Sequence, residues 1–118
     1  MPFAEEFRRG LLVFVGLDPV AGHEQRGTRP CVIVSDPAIA SDQRYPLVAI
    51  VPISRTPGKG ALYPRLAAGS GGLRKRSYAL VDQVRSVGKR RVVRAYGLLS
   101  PEEMDQIDEG LELFLGIR

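Results

Sequence analysis

The apolar residues of this 118-residue chain fall into short runs, and their shortness decides what the chain can fold into. Runs rich in β-branched residues recur at 11–15, 31–35 and 47–53, and a further candidate covers 91–96. Over residues 77–84, Tyr78, Leu80, Asp82 and Val84 alternate along one predicted face. Each run is bounded by Gly, Pro, Asp or Ser, which favour turns over continued ladders. Repeated strands without helices between them point to an antiparallel sheet or a small barrel. The period changes only at the end. Ser100-Pro101-Glu102-Glu103 has the form of a capping box, with Ser100 at N-cap, Pro101 at N1 and Glu103 at N3. Met104, Ile107, Leu111, Phe114 and Leu115 then follow one face at helical spacing, and Gly116 is placed to stop the helix. That face has two roles open to it, a lid on the chain's own core and a dimer contact.

The length suits one domain over residues 1–118, and the Gly-Ser-Gly-Gly stretch at 69–72 suits a turn, not a linker. Composition is that of a soluble globular protein, at 44% hydrophobic and 25% charged residues. No apolar run approaches the ~20 residues that span a bilayer. The first ten residues carry acids and lack the apolar stretch of a signal peptide. A lone cysteine, Cys31, cannot close an intrachain disulfide and fits a reducing cytoplasm. A single histidine, His23, with no Cys/His cluster makes a zinc site unexpected, and no metal or cofactor is anticipated. The net charge is +4, but it is unevenly spread: residues 1–99 hold 16 Lys/Arg against 7 Asp/Glu, and residues 100–118 hold 1 against 6. A basic body suggests a polyanionic partner.

Several blocks together resemble one family. Arg9-Gly10, Leu17-Asp18-Pro19, Gly22, Glu24, the RGTRP of residues 26–30 and the VIVSD of residues 32–36 are similar to the N-terminal signature of the MazF/PemK toxins. Val51-Pro52-Ile53-Ser54 resembles that family's next strand end, and the stretch from Ala79 through Asp82-Gln83-Val84-Arg85 resembles its Leu-x-x-Gln-Ile/Val-Arg strand. Gly97-Leu98-Leu99-Ser100 with Glu102-Glu103-Met104 resembles its final turn and helix. The resemblance implies a mainly β fold with a C-terminal α-helix, the small SH3-like β-barrel of CcdB/PemK-like toxins. It further implies a cytoplasmic homodimer that cuts single-stranded RNA in a groove at the dimer interface and is inhibited by a cognate antitoxin. From the charge, the inhibitor is expected to be an acidic, MazE-like segment.

Metal-free RNA cleavage runs through the neighbouring 2′-OH and leaves a 2′,3′-cyclic phosphate and a 5′-OH. It needs the extra phosphoryl charge stabilised and protons moved. By resemblance Arg29 is the catalytic arginine. Its guanidinium suits charge stabilisation and is a poor base. Ser54 stands where the family often has Thr and keeps the hydroxyl; Thr56 takes that role if the register is shifted by two residues. The loop up to Thr28, with His23, Glu24, Gln25 and Arg26, is expected over the RNA. Arg55, Thr56 and Lys59 are expected on the phosphate backbone. Gln83 and Arg85, two apart on a predicted strand, are expected to face one side together. Arg74-Lys75-Arg76, Lys89-Arg90-Arg91 and Arg94 read as electrostatic steering or solubility. The competing readings are a non-catalytic toxin-fold protein that binds a target such as a DNA gyrase, and an SH3-like adaptor for Pro-rich peptides. The adaptor suits this chain least, because it needs an aromatic-lined groove and the chain has no Trp, four Phe and four Tyr.

Overall fold

The computed structural model describes residues 6–17 and 27–118. Strands β1 (Leu11–Leu17), β2 (Gly27–Ile33) and β3 (Leu47–Ser54) form an antiparallel meander. A short helix, α1 (Pro37–Ala40), lies between β2 and β3. The far side of β3 is shared. Its end pairs with β5 (Ser77–Ala79), which also carries β4 (Arg65–Leu66), and its beginning pairs with β6 (Arg85–Gly88). β7 (Val92–Leu98) closes the order on the free side of β1, and α2 (Pro101–Leu115) follows. The sheet curls into a half-barrel, so the mainly β fold with a C-terminal helix is as expected.

Pro52 sits at the change of partner. β3 pairs with β6 through Ile50 and with β5 from Ile53, and Pro52 falls in the gap. Proline has no N–H to give a ladder, and here none is called for on the β5/β6 side: Pro52 offers its carbonyl to the Leu80 N–H at 2.8 Å and stands opposite Cys31 of β2.

Strand alternation gives the sheet two apolar faces, each covered. Val13 and Val15 of β1, Cys31 and Ile33 of β2, and Val48 and Ile50 of β3 pack together inside the curl. Leu12, Val32, Val51 and Ile53 face the other way and meet Val81, Leu99 and the Met104, Ile107 and Leu111 side chains of α2. Ile107 is fully buried, so truncating it to Ala should cost about 2–5 kcal/mol.

The helix starts and stops as its sequence directs. The Ser100 hydroxyl accepts the Glu103 N–H at 3.2 Å, and the Glu103 carboxylate accepts the Ser100 N–H at 3.2 Å. Gly116 ends the helix at φ 70°. Gly110 is buried and lets α2 approach the loop after β3, since a Cβ there would lie 2.8 Å from the Ala61 carbonyl oxygen. Arg9 fixes the helix from the other side: it pairs with the Asp108 carboxylate, and its Nε donates to the Val34 carbonyl at 3.1 Å.

Four expectations need correction. β2 begins at Gly27, ahead of the apolar run at 31–35, because its pairing with β1 carries it through Thr28, Arg29 and Pro30. Residues 77–84 are not one strand. β5 ends at Ala79, and a 3₁₀ turn over Val81–Gln83 takes the chain away from the sheet, closed by the Gln83 N–H on the Leu80 carbonyl at 2.9 Å. The buried residues there are Ser77, Ala79, Leu80 and Val81, so burial does not follow the alternation. Phe114 and Leu115 share the helical period of the buried face but are 47% and 52% exposed, so that end of α2 is not covered by the chain's own core. Finally, Lys89 is not a steering charge. It is 3% exposed, and its ammonium donates to the Ile39 and Asp42 carbonyls at 2.7 and 2.9 Å, holding the end of α1. Burial pushes its pKa down, partly offset by the nearby Asp42. Among the described residues, no helix is long and apolar enough to cross a membrane.

Candidate nucleic-acid interface

Arg29 and Ser54 lie far apart in sequence, and the β2–β3 register brings them together. The ladder runs Ile33↔Ile50, Val32↔Val51, Cys31↔Pro52. Continued two positions toward the open end, it sets Arg29 opposite Ser54. Directly opposed positions share a face, with Cβ atoms about 4.5–5.5 Å apart. Arg29 also stands opposite Val15 of β1 and is exposed. Ser54 is the last residue of β3, and its Oγ accepts the Thr56 N–H at 3.1 Å. An oxygen that accepts there keeps its own O–H for donation. Thr56 stands in the bend beyond the strand and is exposed.

Arg85 joins this face by a different strand. It opens β6 opposite Ile50, whose side chain belongs to the same row as Ser54. Burial pushes the Cys31 thiol up to about 12, and the Arg85 charge opposes that rise, so the guanidinium lies on the Cys31 side of the sheet. Gln83 does not share the strand with Arg85, because it ends the preceding 3₁₀ turn. The expectation that they project together from one strand is therefore incorrect.

The loop after β3 carries Arg55 and Lys59, both exposed. It folds back on Tyr63, so closely that a Cβ on Gly58 would lie 2.7 Å from the ring. The Tyr63 hydroxyl in turn donates to Asp82, which ties this loop to the Val81–Gln83 turn. Thr28 is exposed on β2, opposite Gly16. His23, Glu24, Gln25 and Arg26 lie outside the described residues.

On the other face of β2, a groove of about 360 Å³ opens beside Ser54. Its floor includes Leu12, Phe14, Pro30 and Ile53, and its walls carry Ser54, Arg55, Arg74, Lys75, Arg94 and Tyr96. The described residues that line it include four cations and no Asp or Glu. Arg74, Lys75 and Arg94 carried no site role in the sequence, since each lies on a different stretch from the Arg-Pro pair and only the sheet register joins them. The signal available was the coincidence of basic residues with Tyr96 on the β7 run. Among the described residues, no group of three or more His, Cys, Asp or Glu is placed to hold a metal ion.

The sequence matches the family of PemK-like, MazF-like toxins of type II toxin–antitoxin systems over residues 8–115. The chain belongs to that family. It is 36% identical to endoribonuclease MazF9 of Mycobacterium tuberculosis over 116 residues, covering 93% of this chain and 97% of that protein. It is similar in structure to crystalline MazF from Deinococcus radiodurans, with TM-score 0.76 and 27% identity over 94% of this chain and 97% of that one. An endoribonuclease from a Mycobacterial species, solved in complex with its cognate antitoxin, shares the fold with TM-score 0.77 at 21% identity, covering 95% and 97% of the two chains.

Proposed function

We propose that this toxin-family chain, acting as one domain over residues 1–118, is a metal-independent, sequence-specific endoribonuclease that cuts single-stranded RNA. The observation that carries the reading is the β2–β3 register, which is paired as far as Cys31↔Pro52 and, continued two positions, sets Arg29 opposite Ser54. Family membership and a relative named as an endoribonuclease support it.

In the proposed reaction, the 2′-oxygen attacks the adjacent phosphorus and loses its proton, and the bond from phosphorus to the 5′-oxygen breaks. The products are a 2′,3′-cyclic phosphate and a 5′-OH, which gains a proton. Negative charge builds on the non-bridging oxygens. Arg29 offers paired N–H donors to those oxygens and stays charged throughout. The Ser54 O–H, its oxygen already oriented by the Thr56 N–H, donates to the same phosphate. Arg85 contributes positive charge from the same face. Arg55, Thr56 and Lys59 hold the neighbouring backbone, Thr28 and the segment with His23, Glu24, Gln25 and Arg26 read the bases, and Gln83 contacts RNA from its turn. The working protein in this reading is a cytoplasmic homodimer. Its inhibitor is an antitoxin whose acidic segment competes with RNA for the same cations.

The test is cleavage of a long single-stranded RNA in EDTA, wild type beside Arg29→Ala, with the ends mapped. Discrete cuts with cyclic-phosphate ends from wild type, reduced at least 100-fold in Arg29→Ala, are expected. Equal cutting by both proteins would remove Arg29 from the reaction. No cutting by folded wild type would leave a toxin-fold binder of a protein target.

A further inference from the structure

The groove beside Ser54 has a floor built as a single row across the sheet. Arg94 of β7 stands opposite Phe14 of β1, and Phe14 stands opposite Pro30 of β2. Continued by one position, the β2–β3 register adds Ile53 opposite Pro30. The row crosses four strands, Arg94–Phe14–Pro30–Ile53, and spans about 14 Å at the usual strand spacing. Tyr96 packs against Phe14 edge-to-face, with ring centroids 5.4 Å apart at 65°. The Arg94 Nη1 donates to the Tyr96 hydroxyl at 3.3 Å, so cation and phenol are set as a pair. Tyr96 remains 40% exposed.

The wall opposite is brought in by glycine. A Cβ on Gly71 would lie 3.1 Å from Leu99 and 3.3 Å from both the Gly97 carbonyl and Leu12, and Gly71 and Gly72 have φ of 60° and 102°. Only a chain without side chains here lies this close on β1 and β7. The Glu103 carboxylate at the start of α2 pins the segment by accepting the Ala67 N–H at 2.8 Å and the Ser70 hydroxyl. Arg74 and Lys75 follow directly on this segment and line the groove together with Tyr96, Arg94, Ser54 and Arg55.

We propose that this groove is a nucleotide subsite for the RNA strand that continues from the scissile phosphate, with a base stacked on Tyr96 and Phe14 and the flanking phosphates held by Arg94, Arg74 and Lys75. The proposal rests on the ribonuclease reading above. Cations without acids select a polyanion, and an aromatic face beside them selects a base, the combination that single-strand binders use. Ser54, the last residue of β3, also lines the groove, so an RNA strand that rounds the end of β3 passes from the proposed point of cleavage into the subsite.

The experiment uses an RNA made uncleavable by 2′-O-methylation, together with the unmodified RNA of the same sequence. Binding is measured across a salt series for wild type, Lys75→Gln/Arg94→Gln and Tyr96→Leu. Arg94 and Lys75 are exposed, so the double variant carries the test if Tyr96→Leu proves unfolded by thermal melting. The expected result is about tenfold weaker binding for each variant. For the double variant, the log–log salt slope should also become shallower by about 1.4, at about 0.7 for each lost phosphate contact. Cleavage by the double variant at saturating RNA should stay within about twofold of wild type, a KM effect without a kcat effect. Unchanged affinity and slope in the variants, with wild type cutting normally, overturn the subsite and leave the ribonuclease reading standing. Wild type that neither binds nor cuts RNA overturns both. Variants that keep RNA affinity but lose binding of poly-glutamate show a site for an acidic peptide, which also overturns the proposal.

Discussion

Replacing Gly110 by Ala sets two effects of known sign against each other. Helix propensity alone favours the change by about 1 kcal/mol, because glycine loses more backbone freedom in a helix than alanine does. Packing opposes it. The added methyl carbon would lie 2.8 Å from the Ala61 carbonyl oxygen and 3.2 and 3.3 Å from the two Val81 methyl carbons. The first of these is backbone and has no rotamer to turn away. The second belongs to a fully buried side chain in the turn that steers the chain from β5 to β6. Overpacking of this kind costs about 1–3 kcal/mol. At the middle of that range the clash outweighs propensity, and Gly110→Ala should lose about 1 kcal/mol. In urea, with a slope of about 1–3 kcal/mol/M, the midpoint should fall by roughly 0.5 M without a change in slope. A thermal scan should show a drop of about 4 °C. Circular dichroism at 222 nm follows both transitions. A midpoint that rises would refute the reasoning, since helix propensity would then have won and α2 would not be seated against Ala61 and Val81.

Three further outcomes follow from individual side chains. Ser54→Ala should lower cleavage about 10- to 100-fold while Ser54→Thr keeps it within a few-fold, measured as initial rates on one RNA; equal loss in both would show that the hydroxyl is not what matters there. Glu103 is affected by burial, which raises its pKa, but hydrogen bonds from Ser70, Ala67 and Ser100 outweigh this and hold it below the usual glutamate value. Its stabilisation is therefore present above the unfolded pKa and is lost as pH falls through the folded one. Glu103→Gln should accordingly cost more stability at pH 7 than at pH 3 in urea melts, and an equal cost at both would contradict this. Cys31 is fully buried and its thiol is pushed up to about 12, so native protein at pH 8 should resist a disulfide-exchange reagent and label fully only once unfolded; rapid native labelling would contradict the burial.

What the sequence made legible was local. β1 and β3 showed in their apolar runs, and α2 showed in Ser100, Glu103 and Gly116, because a capping box and a left-handed stop act within a turn or two of the residues that write them. What it hid was set by pairing. Tyr78, Leu80, Asp82 and Val84 alternate like a strand, but Val81 is drawn under α2 and its N–H goes to the Leu62 carbonyl, so the run breaks. Phe114 and Leu115 keep the helical period, yet a period says nothing about how far along the helix the chain's own core reaches. The site divided in the same way. Arg29 and Ser54 were legible through a family resemblance, whereas Arg74, Lys75 and Arg94 became neighbours only through the β1–β7 register and a glycine-lined approach that no local pattern encodes.

The central claim is that a 2′-oxygen of the RNA, positioned against Arg29 and Ser54, does the cutting. It is tested most directly with an RNA carrying one mapped cleavage site and its twin with a single 2′-deoxy nucleotide on the 5′ side of that bond, both incubated with wild-type protein in EDTA. The account predicts that the first RNA is cut to a cyclic-phosphate end and that the twin stays whole at that position while binding normally. Cutting of the twin at the same bond would mean that the nucleophile comes from elsewhere, and the mechanism built on Arg29 and Ser54 would be wrong.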